Sequence, residues 1–174
     1  MSVFGIQLPE KGHLADISKT GVESSYVLGS SKGLQVVTLT PDSGALTSAQ
    51  SHLANKDVRC VTLVRPNQLL LGFFASADLL LYSLATASPL ATISNPSGDK
   101  YPQRITPLDQ SSHVYLLSDS LGLSLLSIDN QVHVKVAECP GSKKGIAVHK
   151  SAQGYQIVAG ETNQDKRHMI TFTL

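Results

Sequence analysis

Four short segments of the chain share one pattern of apolar and polar positions. Each runs through apolar residues into a Thr or Ser and ends on a Leu or Ile, and their starts lie 45, 44 and 46 residues apart. They are residues 34–39 (LQVVTL), 79–84 (LLLYSL), 123–128 (LSLLSI) and 169–174 (MITFTL). Short apolar runs of this kind are typical of buried strands, so the spacing indicates one structural unit that is repeated four times.

A second apolar run precedes each of these segments and ends in a small residue, at Gly29, Gly72, Ser118 and Gly160. Each pair of runs predicts a hairpin in which the small residue leads into the turn. Clusters of Pro, Gly, Asn and Asp mark the remaining turns and leave room for two further strands in a repeat. The inner strands are predicted at residues 13–18, 58–64, 104–108 and 145–149, and the weaker outer strands at residues 45–50, 90–94 and 132–137.

Four strands in each repeat of about 44 residues predict an all-β fold of the β-propeller kind, in which each repeat forms one four-stranded blade. A β-sandwich also suits short strands, but it does not need such a period. We therefore expect a single domain of four blades over residues 1–174, with little or no helix.

The two ends of the chain depart from the repeat. Residues 3–8 (VFGIQL) predict a strand without a blade of its own, and the last repeat ends after its third strand. Such strands expose backbone N–H and C=O groups that need a partner. Either residues 3–8 pair with residues 169–174 and complete the last blade, or they pair with a second copy or another protein. The second arrangement would join two chains in one ring of about eight blades.

The repeats resemble those of WD-repeat propellers. The Gly-His pair that precedes the inner strand in that family occurs as Gly12-His13, with Ser51-His52 as an imperfect copy. The Trp-Asp pair that ends the third strand is replaced in every repeat, by Thr38-Leu39, Ser83-Leu84, Ser127-Ile128 and Thr173-Leu174. The resemblance implies a rigid ring that is closed by an N-terminal outer strand and whose loops recognise other proteins.

One segment resembles a different class of propeller. Residues 33–47 (GLQVVTLTPDSGALT) are similar to the strand-and-turn segment of propeller lactonases, where an outer strand follows a Pro-Asp-x-Gly turn. The alternative function is therefore a hydrolase of the lactonase kind. Its polar residues would lie on the central axis, on the inner strands, and the candidates are Asp16, Arg59, Arg104 and His149.

Composition narrows the classes of partner. Hydrophobic residues make up 41% and charged residues 16% of the chain, as in soluble folded proteins. The 14 Lys and Arg residues against 13 Asp and Glu give no overall field that would attract nucleic acid, and no apolar run is long enough to insert in a membrane. The first residues lack the pattern of a signal peptide. We expect a cytoplasmic or nuclear protein.

The metal-binding residue types are scattered. Cys60 and Cys139 have no CxxC spacing, and the six histidines form no HExxH pair. We therefore expect reduced cysteines, no metal site and no cofactor.

A candidate binding surface lies at one end of the predicted blades. Phe73 and Phe74 occupy the turn between the second and third strands of one repeat, where the other repeats carry polar residues. Tyr101, Arg104, Lys143 and Lys144 lie on connectors that open to the same end. Exposed aromatic residues beside Arg or Lys have the composition of an interface hot spot. We expect a non-enzymatic protein-interaction module, or a scaffold subunit of a larger complex, that binds through its loop faces and exposed strand edges.

Overall fold

Fifteen strands form four antiparallel sheets in the part of the chain that the computed structural model describes. This part comprises residues 13–40, 42–95, 98, 100–109, 114–130, 132–138, 142–163 and 166–173. Each sheet is built from consecutive strands and is called a blade below. Blade 1 contains β1 (Leu14–Lys19), β2 (Ser25–Ser30), β3 (Gly33–Leu39) and β4 (Leu46–His52). Blade 2 contains β5 (Val58–Arg65), β6 (Gln68–Phe73), β7 (Leu79–Ser83) and β8 (Ser88–Ile93). Blade 3 contains β9 (Arg104–Asp109), β10 (Val114–Ser118), β11 (Gly122–Ser127) and β12 (Val132–Glu138). Blade 4 contains β13 (Ser142–Ser151), β14 (Gly154–Asn163) and β15 (Lys166–Thr173).

The predicted repeat is confirmed, since every inner, second, third and outer strand listed from the sequence is present within a few residues of its expected place. The described residues contain no helix. The fourth sheet has three strands. The predicted strand at residues 3–8, which was expected to complete that sheet or to pair with a partner, lies outside the described residues.

The middle strands of blades 1, 2 and 3 are buried on both faces. In β6 the central Leu69, Leu70 and Leu71 are all fully buried, although their side chains alternate between the two faces of the sheet. This burial explains why the second and third strands read as continuous apolar runs, whereas the outer strand β4 is exposed along nearly its whole length.

Three apolar clusters lie between successive blades and make up the core. The first contains Val27 and Leu34 of blade 1 with Leu69 and Leu71 of blade 2. The second joins blade 2 to blade 3 and includes Leu70 and Tyr115. The third joins blade 3 to blade 4 through Leu116, Leu123 and Ile157. Blades therefore pack face to face, and each interface depends on both neighbours.

Polar bonds also cross the blade interfaces. The ring of His52 in blade 1 is 3.2 Å from the hydroxyl of Tyr82 in blade 2, and the ring of His133 in blade 3 is 3.1 Å from the carbonyl of Ser94. The Tyr115 hydroxyl donates to the carbonyl of Val64 in blade 2 at 3.3 Å. Burial raises the pKa of the Tyr115 hydroxyl, so it stays protonated and remains a donor.

The inner strands meet in chain order around the axis, β1 with β5, β5 with β9, and β9 with β13. Within the described ranges, no contact of comparable extent joins β13 back to β1. In the described part of the chain, the inner strands therefore follow one another in a series that begins at blade 1 and ends at blade 4.

We expect Gly72→Ala to destabilise the protein. A methyl group at this position would meet the Cys60 sulfur at 2.5 Å and Pro102 at 2.8 Å, inside the interface between blades 2 and 3. Crowding of this kind costs roughly 1–3 kcal/mol of the free energy of unfolding, which denaturant titration would measure. Gly21→Ala is the matched control, because nothing lies within 4 Å of the added methyl group. Equal stability of the two variants would contradict this packing.

We also expect acid to weaken the blade interfaces. Burial lowers the pKa of both His52 and His133 below 6.5. The unfolded chain then binds more protons than the folded one as the pH falls through that value, so the free energy of unfolding decreases. Urea midpoints between roughly pH 7.5 and 5.5 would measure this decrease.

The double variant His52→Gln/His133→Gln serves as the control for the pH series. It should have a smaller change in midpoint over the same range, because glutamine does not titrate. If the double variant loses as much stability as the unchanged protein, other groups are responsible.

Candidate functional site

A cavity of about 540 Å³ opens at the end of the blades where the inner strands begin, which we call the upper end. Blades 1, 2 and 3 all contribute to its wall. The lining includes His13, Leu14, Asp16, Asp57, Arg59, Phe74, Tyr101, Pro102 and Arg104. Three of the residues predicted from the sequence as a binding surface, Phe74, Tyr101 and Arg104, are therefore brought together.

Two aromatic rings form an exposed pair beside this cavity. The ring centroids of Phe74 and Tyr101 are 5.4 Å apart with an interplanar angle of 56°, and 47% of each residue is exposed. Phe74 follows β6 directly, and Tyr101 lies on the connector into β9. The exposed Leu14 at the start of β1 lines the same cavity, so apolar surface from three blades converges there.

The Arg59 guanidinium lies over the face of the Phe74 ring, 4.6 Å from its centroid. It also contacts Asp57 at 3.0 Å. This arrangement holds a planar cation against an aromatic ring, with one edge of the guanidinium fixed by a carboxylate. Arg59 itself is exposed.

Arg104 connects blade 3 to blade 1. Its guanidinium is 3.6 Å from the carboxylate of Asp16, whose side chain is only 8% exposed. The other Asp16 oxygen accepts a hydrogen bond of 3.0 Å from the backbone N–H of Val61 in blade 2. One buried carboxylate thus links three blades and sets the position of Arg104 at the cavity wall.

A repeated β-bulge explains where Arg59 lies. Val58 of β5 pairs with Phe73 of β6, and Cys60 pairs with the next residue of β6, Gly72. Arg59 is therefore the extra residue of a bulge in β5. Ala15 of β1 and Lys144 of β13 are the extra residues of corresponding bulges in blades 1 and 4. Bulges at strand ends redirect a side chain, so the start of the inner strand is a position that each repeat can vary without disturbing its sheet.

The other predicted binding residues have different positions. Phe73 is the last residue of β6 and packs, half-buried, against the apolar cluster between blades 1 and 2. The backbones of Lys143 and Lys144 lie in β13, and their side chains are outside what the structure describes. The sequence could not say which of Phe73 and Phe74 is exposed, because that depends on where β6 ends.

The four polar residues considered for a hydrolase are only partly gathered. Asp16, Arg59 and Arg104 line the upper cavity, whereas His149 lies in β13 with an exposed side chain and is not part of its wall. Asp16 is engaged by two backbone N–H groups, of Ile17 and Val61, and by Arg104. Its carboxylate therefore has a clear structural role.

Cys60, the residue that follows Arg59 in β5, has a buried free thiol. Burial raises its pKa well above the ordinary value, so the sulfur is held as an uncharged thiol. This agrees with its place in the apolar cluster between blades 2 and 3.

No helix in the described part of the chain is long and apolar enough to cross a membrane. This finding concerns helical membrane spans alone.

Two comparisons with known proteins found no match. No protein-family model matches the chain, and no curated protein matches it. Similarity is found among solved structures instead.

The chain is similar to the WD40 β-propeller domain of Doa1, with a TM-score of 0.63 and 16% identity over 85% of this chain and 47% of that one. Hydrazine synthase of Kuenenia stuttgartiensis matches with a TM-score of 0.67 and 9% identity over 99% of this chain and 49% of that chain. A chain of a nidogen/laminin complex matches with a TM-score of 0.67 and 12% identity over 86% of this chain and 57% of that chain.

These likenesses concern the fold, because the identities are low. The chain spans about half the length of the solved chains that it matches. The repeat, the four sheets and these neighbours together show that the described blades form a β-propeller-like fold.

Proposed function

We propose that the chain is a non-enzymatic protein-interaction module, the scaffold-like part of a larger complex, and that it binds a protein partner at the upper cavity. The observation that carries the proposal is the exposed Phe74–Tyr101 pair, which lines the upper cavity together with Arg59 and Arg104. Aromatic residues and arginines that can be fully desolvated dominate the energy of protein interfaces. A cavity formed by three packed blades holds them in fixed positions, so little conformational entropy is lost on binding.

The hydrolase alternative has weaker support in the geometry. The contacts of the Asp16 carboxylate with the backbone N–H of Val61 in blade 2 and with Arg104 in blade 3 serve to hold blades together. We therefore place recognition, and no chemical step, at this cavity.

The first test is a comparison of captured partners. The purified protein and its Phe74→Ala variant would be immobilised and exposed to an extract of the source cells, and the bound proteins would be quantified by mass spectrometry. We expect at least one protein to be depleted roughly tenfold by the substitution, as for a hot-spot residue. Leu90→Ala is the matched control, because Leu90 is also 47% exposed but lies on β8, away from the cavity. Identical partner sets for the two variants would refute recognition by the upper cavity.

We further propose that a second copy of the chain or another protein completes the ring. Support comes from the series of inner strands, which the described residues do not close, and from the matched propellers, which are about twice as long. Blade 1 also carries an exposed apolar residue on the face turned away from blade 2. Asp16 and Ser18 accept hydrogen bonds from blade 2, so Ile17 between them lies on the opposite face, where it is 54% exposed.

The solution mass tests ring completion. For two copies, we expect a species of about twice the 18.5 kDa of one chain at low micromolar concentration. Ile17→Asp should shift the protein toward the monomer, because it would bury a charge in the new interface. Leu90→Asp is the control on an exposed site elsewhere. If the unchanged protein and the Ile17→Asp variant are both monomers with the same solubility and stability, completion of the ring by either kind of partner is contradicted.

A further inference from the structure

The surface around the upper cavity is unequal in charge. Among the described residues on the turns and strand starts at this end, five exposed side chains are cationic. They are Lys32, Lys56, Arg59, Lys100 and Arg104. The exposed Asp78 and the half-buried Asp57 are acidic, and Asp57 is paired with Arg59. The described cations at this end therefore outnumber the described exposed acidic side chains, whereas the chain as a whole has a net charge of only +1.

Two further carboxylates that the structure describes at this end are turned inward. Asp119 is 1% exposed and accepts hydrogen bonds from the backbone N–H groups of Leu121 and Gly122. Asp16 is held in the same manner by Val61 and Arg104. Their charges are used within the protein, so an approaching ligand meets the cations.

Both arginines retain donors for a ligand. A guanidinium has five N–H donors in a planar fork. Arg59 meets one Asp57 oxygen and the Phe74 ring, and Arg104 meets one Asp16 oxygen at 3.6 Å, which is an ion-pair distance. The outward edge of each fork fits a carboxylate, and arginine binds such groups in a bidentate manner.

We infer that the upper cavity binds an acidic peptide segment in which carboxylate side chains flank one large apolar side chain. The apolar side chain would cover Phe74, Tyr101 and Leu14, and the flanking carboxylates would meet Arg59 and Arg104. This inference rests on the proposed function and adds the chemistry of the partner. The bulge position of Lys144 in blade 4 corresponds to that of Arg59 in blade 2, so the repeat places a further basic residue at the same strand position.

A nucleic acid is the less favoured ligand of this surface. Binding to the phosphate backbone needs a continuous basic track, whereas the wall of the cavity contains apolar and aromatic surface between two arginines that each hold a carboxylate. The overall charge of the chain supplies no steering field.

The test uses labelled synthetic peptides and fluorescence anisotropy. The probe has a central phenylalanine with three glutamates on each side, and the comparison peptides replace the glutamates by glutamine or by lysine, or the phenylalanine by alanine. We expect the glutamate peptide to bind about tenfold more tightly than the glutamine peptide, and the lysine peptide not to bind. Affinity should fall as salt rises, because the contacts are partly exposed ion pairs.

Variants of the protein test which residue meets the carboxylates of the peptide and which meets its apolar side chain. Arg59→Gln should reduce the preference for glutamate over glutamine severalfold, whereas Arg65→Gln should leave it unchanged. Arg65 is the matched control because it is a partly exposed arginine that is also paired with an aspartate, Asp129, at the other end of β5. Phe74→Ala should reduce the preference for phenylalanine over alanine, and Leu90→Ala should not.

The outcomes separate this inference from the proposed function. In a second experiment, peptides that bind the protein are selected from a random peptide library. A parallel selection on the Phe74→Ala variant is the reference. Selected sequences that depend on Phe74 but lack acidic residues would keep the recognition role and refute the acidic ligand. No selection above the Phe74→Ala reference would refute both. Tighter binding of an oligouridylate than of the glutamate peptide would also overturn the inference.

Discussion

The fold depends on the burial of the middle strands on both faces. A β-sheet with two apolar faces cannot be stable alone in water, and blades 1, 2 and 3 have such strands at their centres. The three clusters between blades satisfy this requirement, because each apolar face packs on the face of the next sheet. Stability is therefore shared along the chain, and damage to one interface removes support from two blades.

Burial of this kind restricts which polar groups the interfaces can hold. Several polar side chains found there have partners, such as His52 with Tyr82 and Asn95 with Asp119. These bonds do not add much stability individually, but an unpaired group in the same place would be costly. They also specify how one blade is oriented against the next.

The upper cavity follows from the same packing. Its walls come from three blades, and Asp16 shows how: it is near Arg104 of blade 3 and accepts from Val61 of blade 2. The residues that line the cavity are at strand starts and in connectors, where the sheet registers tolerate variation. Residues that line the cavity can therefore change without loss of the core, as the proposed interaction surface requires.

The sequence by itself determined the repeat, its length and the strands in it, because strand formation and turn chemistry depend on neighbours within a few residues. Phe74, Tyr101 and Arg104 could be named as one surface on the same basis, since strand order places their turns and connectors at one end. Tertiary structure decided the rest. Arg59 was expected on the axis, yet a bulge in β5 brings it over the Phe74 ring. The sequence left open which of Phe73 and Phe74 is exposed, and Phe73 is the one that lies half-buried between blades. Both results depend on the angle and distance between adjacent sheets, which are set by the packing of side chains from residues far apart in the chain.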